Sequence, residues 1–339
     1  MNLITKYFIL SSVIFSSCTH LKQQSNPLFR SQNYTIAYPS GDMAPQLDNV
    51  LKSVKMLSTY SSYTAYHFEF EQDIKKNDVG QLDFEVEAYS KSYFNESSSG
   101  TAIILANDPN RILVLTCAHV GDYPDTIITY FKDDQEHVSS VAVRGRLDFF
   151  IQGIPGGDQL NEIAKDRVKD LALYGKQYSS TQNFQLLQLN IPMGTIHNLR
   201  WGSFVYMAGF PMGIKMVTRG VVSLFENNQK DMYLIDANFN RGFSGGMVLA
   251  YKQDTNQMEW VGIVKSVSAN SYFRLKPSEN KTQYVDEHHP YTDDLYLERT
   301  ENINYGVTYA VSSEAIRSFL KEKEDILARA GFNVTRWTE

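Results

Sequence analysis

Ser244 stands in the run Gly242-Phe-Ser-Gly-Gly246, between the apolar stretches Met232–Ile235 and Met247–Ala250. A serine hydroxyl becomes a useful nucleophile where a tight turn exposes it and aims neighbouring amide N–H groups at the oxyanion forming on a carbonyl. Glycines permit such a turn. The N–H groups of Gly242 and Ser244 are read as that oxyanion hole, with Gly245 and Gly246 allowing close approach of chain and substrate. An ordinary Gly/Ser structural turn is the competing account of the same residues.

His119 ends Thr116-Cys-Ala-His119, directly after the apolar run Ile112-Leu-Val-Leu115. Imidazole titrates near neutrality, which suits a base that takes a hydroxyl proton and returns it to a leaving amine. Asp170 opens Asp170-Leu-Ala-Leu-Tyr174, where a carboxylate can accept the other imidazole N–H, fix the tautomer and stabilise the imidazolium. Asp148 and Asp166 compete for that role, but neither leads directly into an apolar strand. Together these residues can perform acyl transfer to water with Ser244 as nucleophile, His119 as base and Asp170 as its orienter, and the chemistry calls for no cofactor.

The elements that must position these groups read as short strands. Period-two stretches such as Ala65-Tyr-His-Phe-Glu-Phe70 and Leu82-Asp-Phe-Glu-Val-Glu87 are followed by apolar runs from Ala102–Leu105 to Val307–Val311, with turn residues between. That spacing predicts an all-β sandwich or barrel. Ahead of it, Pro45 opens a predicted helix with Leu47, Val50, Leu51, Val54 and Leu57 on one face. Behind it, Ser312 and Ser313 cap a predicted C-terminal helix, about 313–330, lined by Ala315, Ile316, Phe319, Leu320, Ile326 and Leu327 and stopped by Gly331. Residues 268–304 are polar and acidic and read as a surface insertion without a strand of its own.

The chain of 339 residues carries a net charge of −6 and no basic run with interleaved aromatics, which argues against a nucleic-acid partner. Residues 1–18 have the layout of an export signal, with Lys6 ahead of an apolar stretch and small residues before Cys18. Cys18 stands where a bacterial lipoprotein signal is cut and its thiol lipidated, although Phe15 replaces the usual Leu; an ordinary signal peptide cut nearby is the alternative. The expected location is the bacterial periplasm, lipid-anchored to a membrane or free, or outside the cell. Residues 19–43 read as a tether and the fold is expected from Ala44. Cys18 and Cys117 are the only cysteines, so no disulfide framework is available, and Cys117 reads as a buried small hydrophobe. His288 and His289, with Asp286, Glu287, Asp293 and Asp294, lack the spacing of a metal site, and no metal is expected. His67, His137 and His197 have no motif context and are expected to be structural or exposed.

The order His119, Asp170, Ser244, each with its flanks, resembles that of the trypsin-like, chymotrypsin-fold serine peptidases, most closely the bacterial Deg/HtrA-type proteases. The matching stretches are Ser99-Gly-Thr-Ala-Ile-Ile104, Leu115-Thr-Cys-Ala-His-Val120, Asp170-Leu-Ala-Leu173, Gly209-Phe-Pro-Met-Gly213, Thr218-Arg-Gly-Val-Val-Ser-Leu224, Asp236-Ala-Asn-Phe-Asn-Arg-Gly-Phe-Ser-Gly-Gly246 and Gly262-Ile-Val264. The resemblance implies two packed six-stranded antiparallel barrels, about 60–180 and 185–311, with the cleft between them and protein or peptide substrates in it. It places Asn238 at the base of the pocket for the residue before the scissile bond, with Lys265, Ser266 and Val267 on one wall and Gly306, Val307 and Thr308 on the other. With no carboxylate at position 238 a basic residue is disfavoured there, and Val267 shallows the pocket toward small or medium apolar residues. Phe243 stands where trypsin-like zymogens carry an Asp, so their activation switch is not expected. Deg-type proteases also carry PDZ domains that this sequence is not expected to include, so their oligomeric regulation does not carry over. Two rival readings remain: a catalytically silent member of the fold that binds peptide or a protein partner, and an envelope chaperone with secondary proteolysis.

Overall fold

The computed structural model describes residues 33–339 except 40, 133, 135, 155–158, 180–185, 225–230, 239 and 278–294. Contacts divide the chain into residues 1–32 and a unit from Asn33 to Glu339, and every described residue belongs to the second. Cys18, His288 and His289 therefore lie outside the described residues. Among the described residues no helix is long and apolar enough to cross a membrane.

The chain enters the unit earlier than the tether reading expects. Tyr34 is fully buried against the second barrel, its amide donates to Asn198 O and its hydroxyl to Glu259 Oε2 at 2.5 Å. The predicted first helix is shorter than its periodicity: α1 spans Ala44–Leu51. Ser53 donates its hydroxyl to Val50 O at 2.7 Å, offering the backbone an alternative to another helical turn. Val54 and Leu57 then belong to β1 (Val54–His67), whose buried positions largely alternate as one face of a sheet requires.

Next come β2 (Ser90–Asp108), β3 (Arg111–Thr116), β4 (Thr126–Tyr130), β5 (Val138–Ile151), β6 (Asn161–Asp166) and β7 (Leu171–Gln177). They form one seven-stranded sheet in the order β4-β5-β1-β2-β3-β7-β6, curled into a half-barrel where the resemblance implies six strands and closure. Ile112, Leu113, Val114 and Leu115 are all fully buried because β3 lies between β2 and β7, and that burial accounts for its unbroken apolar run.

Between β1 and β2 two expectations fail. Leu82–Glu87 is not a strand: the Asp83 carboxylate accepts the Glu85 amide at 3.1 Å and starts a short helix, α2 (Phe84–Glu87). The run Ala65–Phe70 leaves the sheet after His67, where Phe68 turns inward to a small cluster with Ile74, Val138 and Val141.

The second barrel is closed, in the order β10-β13-β12-β11-β8-β9. Its strands are β8 (Phe204–Gly209), β9 (Met216–Leu224), β10 (Met232–Asp236), β11 (Met247–Lys252), β12 (Gln257–Pro277) and β13 (Leu295–Ser312). The insertion expected to lack strands is thus partly built from two of them: β12 and β13 stay paired from Ala269↔Ile303 to Pro277↔Leu295, outside the barrel wall.

The C-terminal helix is broken at Lys323 into α3 (Ser313–Glu322) and α4 (Glu324–Arg329), and α5 (Thr335–Thr338) comes after them. Ser312 caps α3 by accepting the Ala315 amide, and Ala315, Ile316, Phe319, Leu320 and Leu327 are buried as expected. Ile326 is partly exposed, because the break at Lys323 rotates the second segment's face.

Candidate active site

Thr116 closes β3, and Ala118–Gly121 form a single 3-10 turn that lifts His119 from the buried strand to the rim. Asp170 stands in the turn before β7 at φ +57°, a left-handed conformation that Asp tolerates better than most residues. Because β3 and β7 are neighbours, the two residues meet. The Nδ1–H of His119 donates to Asp170 Oδ2 at 2.8 Å, a direction fixed by the carboxylate's role as acceptor, and the His119 amide donates to Oδ1 at 2.9 Å. Both carboxylate oxygens are thereby committed to one residue. Asp170 is 5% exposed while the His119 side chain is 45% exposed, and Nε2 has no partner among the described residues.

The two competing acids are engaged elsewhere: Asp148 accepts from Arg146 Nε at 2.8 Å, and Asp166 takes the amides of Val168 and Lys169.

Ser244 lies two residues after Gly242 at φ +99° and directly before Gly245 at φ +83°. A side chain at Gly242 would run into the Phe210 carbonyl, and one at Gly245 into the Thr101 carbonyl, so at both positions the backbone and its surroundings require glycine. The turn is closed by the Phe243 amide to Asn240 O at 3.2 Å and the Gly246 amide to Phe243 O at 2.7 Å. The amides of Gly242 and Ser244 donate to no acceptor among the described residues.

Three contacts draw this turn to His119. The Thr101 amide donates to Ser244 O at 2.8 Å. A Cβ at Gly100 would lie 2.8 Å from the Val120 methyls and 3.1 Å from Ser244 O, so Ser244 and the residue after His119 flank one glycine. The Cys117 thiol donates to Val264 O at 3.3 Å, and the same oxygen accepts the Gly245 amide at 2.8 Å. Ser244 Oγ and His119 Nε2 make no hydrogen bond to each other.

Thr101 is the residue that sequence reasoning passes over. It is fully buried; its Oγ1 donates to Gly242 O at 2.7 Å and accepts the Phe210 amide at 2.9 Å, while its carbonyl accepts from Thr116 Oγ1 at 2.7 Å. One side chain thus fixes the carbonyl before the Ser244 turn and the loop beside it. The available signal was a hydroxyl at the head of the apolar run Ala102–Leu105, where a buried donor must find a partner.

The segments expected to line the substrate pocket also converge. Thr308 is buried and donates to Ala237 O at 3.1 Å, tying β13 to the chain before Asn238, which is exposed. In the register, Ser266 pairs with Tyr309 and Val267 with Thr308, with bulges on either side. Gly306, at φ +85°, faces a carboxylate absent from the sequence reading of this pocket: its Cβ position lies 3.2 Å from Asp236 Oδ1.

Cys117, His119 and Asp170 present metal-ligand atoms within 4.8 Å of one another. The thiol is committed to Val264 O and the other two residues to each other, and burial, reinforced by the Asp170 charge, pushes the Cys117 thiol well above its ordinary range. The thiolate that a metal ion needs is therefore disfavoured.

Residues 100–263 match the family model described as a trypsin-like peptidase domain. No curated protein matches the chain. Among solved structures, the chain is similar to the HtrA-type protease AlgW with tripeptide, at 17% identity and a TM-score of 0.43, covering 86% of this chain and 65% of that one. It is also similar to the serine endoprotease from Yersinia pestis, at 15% identity and a TM-score of 0.40, covering 84% and 67%. The third is a variant of the tobacco etch virus protease, at 11% identity and 0.33, covering 70% and 74%. The chain spans about two thirds of the length of the first two.

Proposed function

Because this chain carries a trypsin-like peptidase domain, we propose that it is a serine endopeptidase that hydrolyses protein substrates with Ser244 as nucleophile, His119 as general base and Asp170 as the group that orients it. The observation that carries the reading is the His119–Asp170 pair with Nε2 left free, on a rim that shares Gly100 with the Ser244 turn.

The chemistry rests on these residues alone. His119 Nε2 takes the Ser244 hydroxyl proton as Oγ attacks the peptide carbonyl, and the imidazolium is stabilised by the buried Asp170 carboxylate. The negative charge that develops on the carbonyl oxygen is met by the unengaged amides of Gly242 and Ser244. The imidazolium then protonates the leaving amine, and a water activated by the same nitrogen releases the acyl group from Ser244. Small or medium apolar residues are the preferred occupants of the Asn238 pocket. Asp236 beside Gly306 is the group whose charge would instead favour a basic residue, and a peptide library decides between the two.

A fluorophosphonate probe tests the central claim. The folded wild-type chain takes one label at neutral pH and Ser244→Ala takes none; absence of label on the wild type sinks the reading. Export through residues 1–18 and lipidation at Cys18 are part of the proposal, checked by the intact mass of protein recovered from membrane and soluble fractions.

A further inference from the structure

β12 is the strand against which the Ser244 turn is built. Val264 accepts the Gly245 amide and donates its own amide to Gly246 O at 2.7 Å. Pairing with β11 runs only from Gln257 to Ile263, yet β12 continues to Pro277. From Lys265 to Pro277 its one paired neighbour among the described residues is β13; an edge starts beside the Ser244 turn, passes two register shifts before Ala269, and then runs regularly from Ala269 to Pro277 for about 30 Å, at roughly 3.3 Å per residue.

The arm is amphipathic. Phe273 and Leu275, two apart on β12, point to one face, and Leu297, the register partner of Leu275, shares it. The three side chains are 65%, 64% and 66% exposed. Arg274 and Lys276 alternate to the opposite face. A two-stranded ribbon is marginal by itself, and natural sheet edges are ordinarily blunted rather than given an apolar face.

We propose that the β12–β13 arm is an extended docking surface for unfolded polypeptide substrate, which adds to the β12 edge as a strand and lays alternate apolar side chains against Phe273, Leu275 and Leu297. The inference rests on the peptidase reading for the position of the scissile bond. What selects this occupant is continuity: a chain lying at Ser244 in extended form meets the β12 edge at Lys265 and has paired backbone and an apolar stripe ahead of it. Unfolded protein supplies both features, an exposed backbone and apolar residues at every second position, whereas a folded surface rarely supplies either.

Fluorescein-labelled, reduced and carboxymethylated α-lactalbumin serves as the unfolded chain, titrated by anisotropy with the full-length Ser244→Ala protein. Two changes are added to that background: the triple Phe273→Ser, Leu275→Ser, Leu297→Ser, and a trimmed arm in which an Asn-Gly turn joins the register partners Ala269 and Ile303. Each is expected to weaken binding at least about tenfold. Affinity within about twofold of the parent in both variants overturns the proposal. So does a dimer in light scattering that the triple change dissociates, since the stripe then serves a second copy. In the active chain, the ratio of kcat/KM for the unfolded protein to that for a chromogenic tripeptide is expected to fall about tenfold with the triple change. If neither substrate is cleaved, the peptidase reading fails separately, and anisotropy still decides the role of the arm.

Discussion

Two histidines beside the seven-stranded sheet, His119 in the turn after β3 and His137 just before β5, pair with aspartates at short range, and they differ in what is left over. His119 gives Nδ1 to Asp170 at 2.8 Å and keeps Nε2 free beside the Ser244 turn. His137 gives Nδ1 to Asp134 at 2.5 Å and Nε2 to Asp73 at 2.7 Å, so neither nitrogen can receive another proton donor. The acids differ too, since the Asp170 side chain is 8% exposed and that of Asp73 71%. A His–Asp pair by itself is therefore no sign of catalysis. A buried acid fixes one nitrogen for chemistry at the other; two acids turn the same ring into a clasp.

If that contrast is right, disturbing His119 or its neighbours should change turnover by orders of magnitude. Ser244→Ala and His119→Ala are each expected to lower kcat by about 10⁶. Asp170→Asn leaves the shape of the pair but replaces an acceptor with a group that can donate, favouring the wrong tautomer; a loss of about 10⁴ in kcat is expected. An Asp170→Asn enzyme within about tenfold of wild type would remove the distinction between the two pairs.

Gly242→Ala comes next. Its φ of +99° costs a residue with a Cβ about 1–3 kcal/mol, and the Cβ also meets the Phe210 carbonyl, so the turn must shift and re-aim the Gly242 amide. Both urea stability and kcat are expected to fall, kcat by about 10²–10³ as for loss of one oxyanion donor. Unaltered kcat in a destabilised protein would reduce this glycine to a structural role.

Legibility in the sequence varies by residue. Ser244 and His119 were readable because their neighbours have mechanical reasons to be there: glycines around the one, a buried strand ending at the other. Asp170 was separable from Asp148 and Asp166 by the apolar strand that begins at Leu171 and, more, by its place in the His119, Asp170, Ser244 order of the resemblance, and its decisive features, burial and capture of the His119 amide, are tertiary. The strands of both barrels were visible as apolar runs, but Leu82–Glu87 misled because period-two spacing cannot register Asp83 as a helix cap. The long arm was hidden for a related reason. Its alternation, Phe273-Arg-Leu-Lys276, is too short to stand out within a polar stretch, and residues 268–304 read as loop. Tyr34 was assigned to a tether because a single anchoring aromatic leaves no periodic trace.

Thr101→Val probes the support behind the site with nearly equal volume. It leaves the Phe210 amide without its acceptor and frees Gly242 O, both in a buried setting. A stability loss of about 1–3 kcal/mol is expected in denaturant titration. The fall in kcat should be about tenfold, with KM little changed, because the residue acts through the Gly242 carbonyl and touches no substrate. Thr101→Ser, which keeps the hydroxyl, should recover most of that kcat.

The smallest effect on hydrolysis is expected at the second histidine, where it sharpens the comparison most. His137→Gln should leave kcat within about twofold of wild type, since the ring's partners are Asp134 and Asp73 and neither belongs to the Ser244 turn or the His119–Asp170 pair. Its effect belongs to residues 68–89, which the Asp73 contact holds against the β4–β5 hairpin. The Asp134 and Asp73 hydrogen bonds raise the His137 pKa above its ordinary value, whereas the amides of Glu136 and His137 hold Asp134 below its own. A raised histidine stabilises the fold fully below its unfolded pKa of about 6.5 and loses that contribution as pH rises through the folded value. Asp134 acts in the opposite sense, losing its contribution only as pH falls through its depressed value. Lys75, 3.9 Å from Asp73, cannot replace the ring's two directed bonds. Hydrogen exchange of residues 68–89, corrected for intrinsic rate, should therefore be slower at about pH 5.5 than at about pH 8.5 in the wild type, and nearly independent of pH in His137→Gln. Equal protection at both pH values in the wild type would mean that the two carboxylates do not depend on the ring's charge, and the clasp would then be a hydrogen-bonded strut rather than an ionic one.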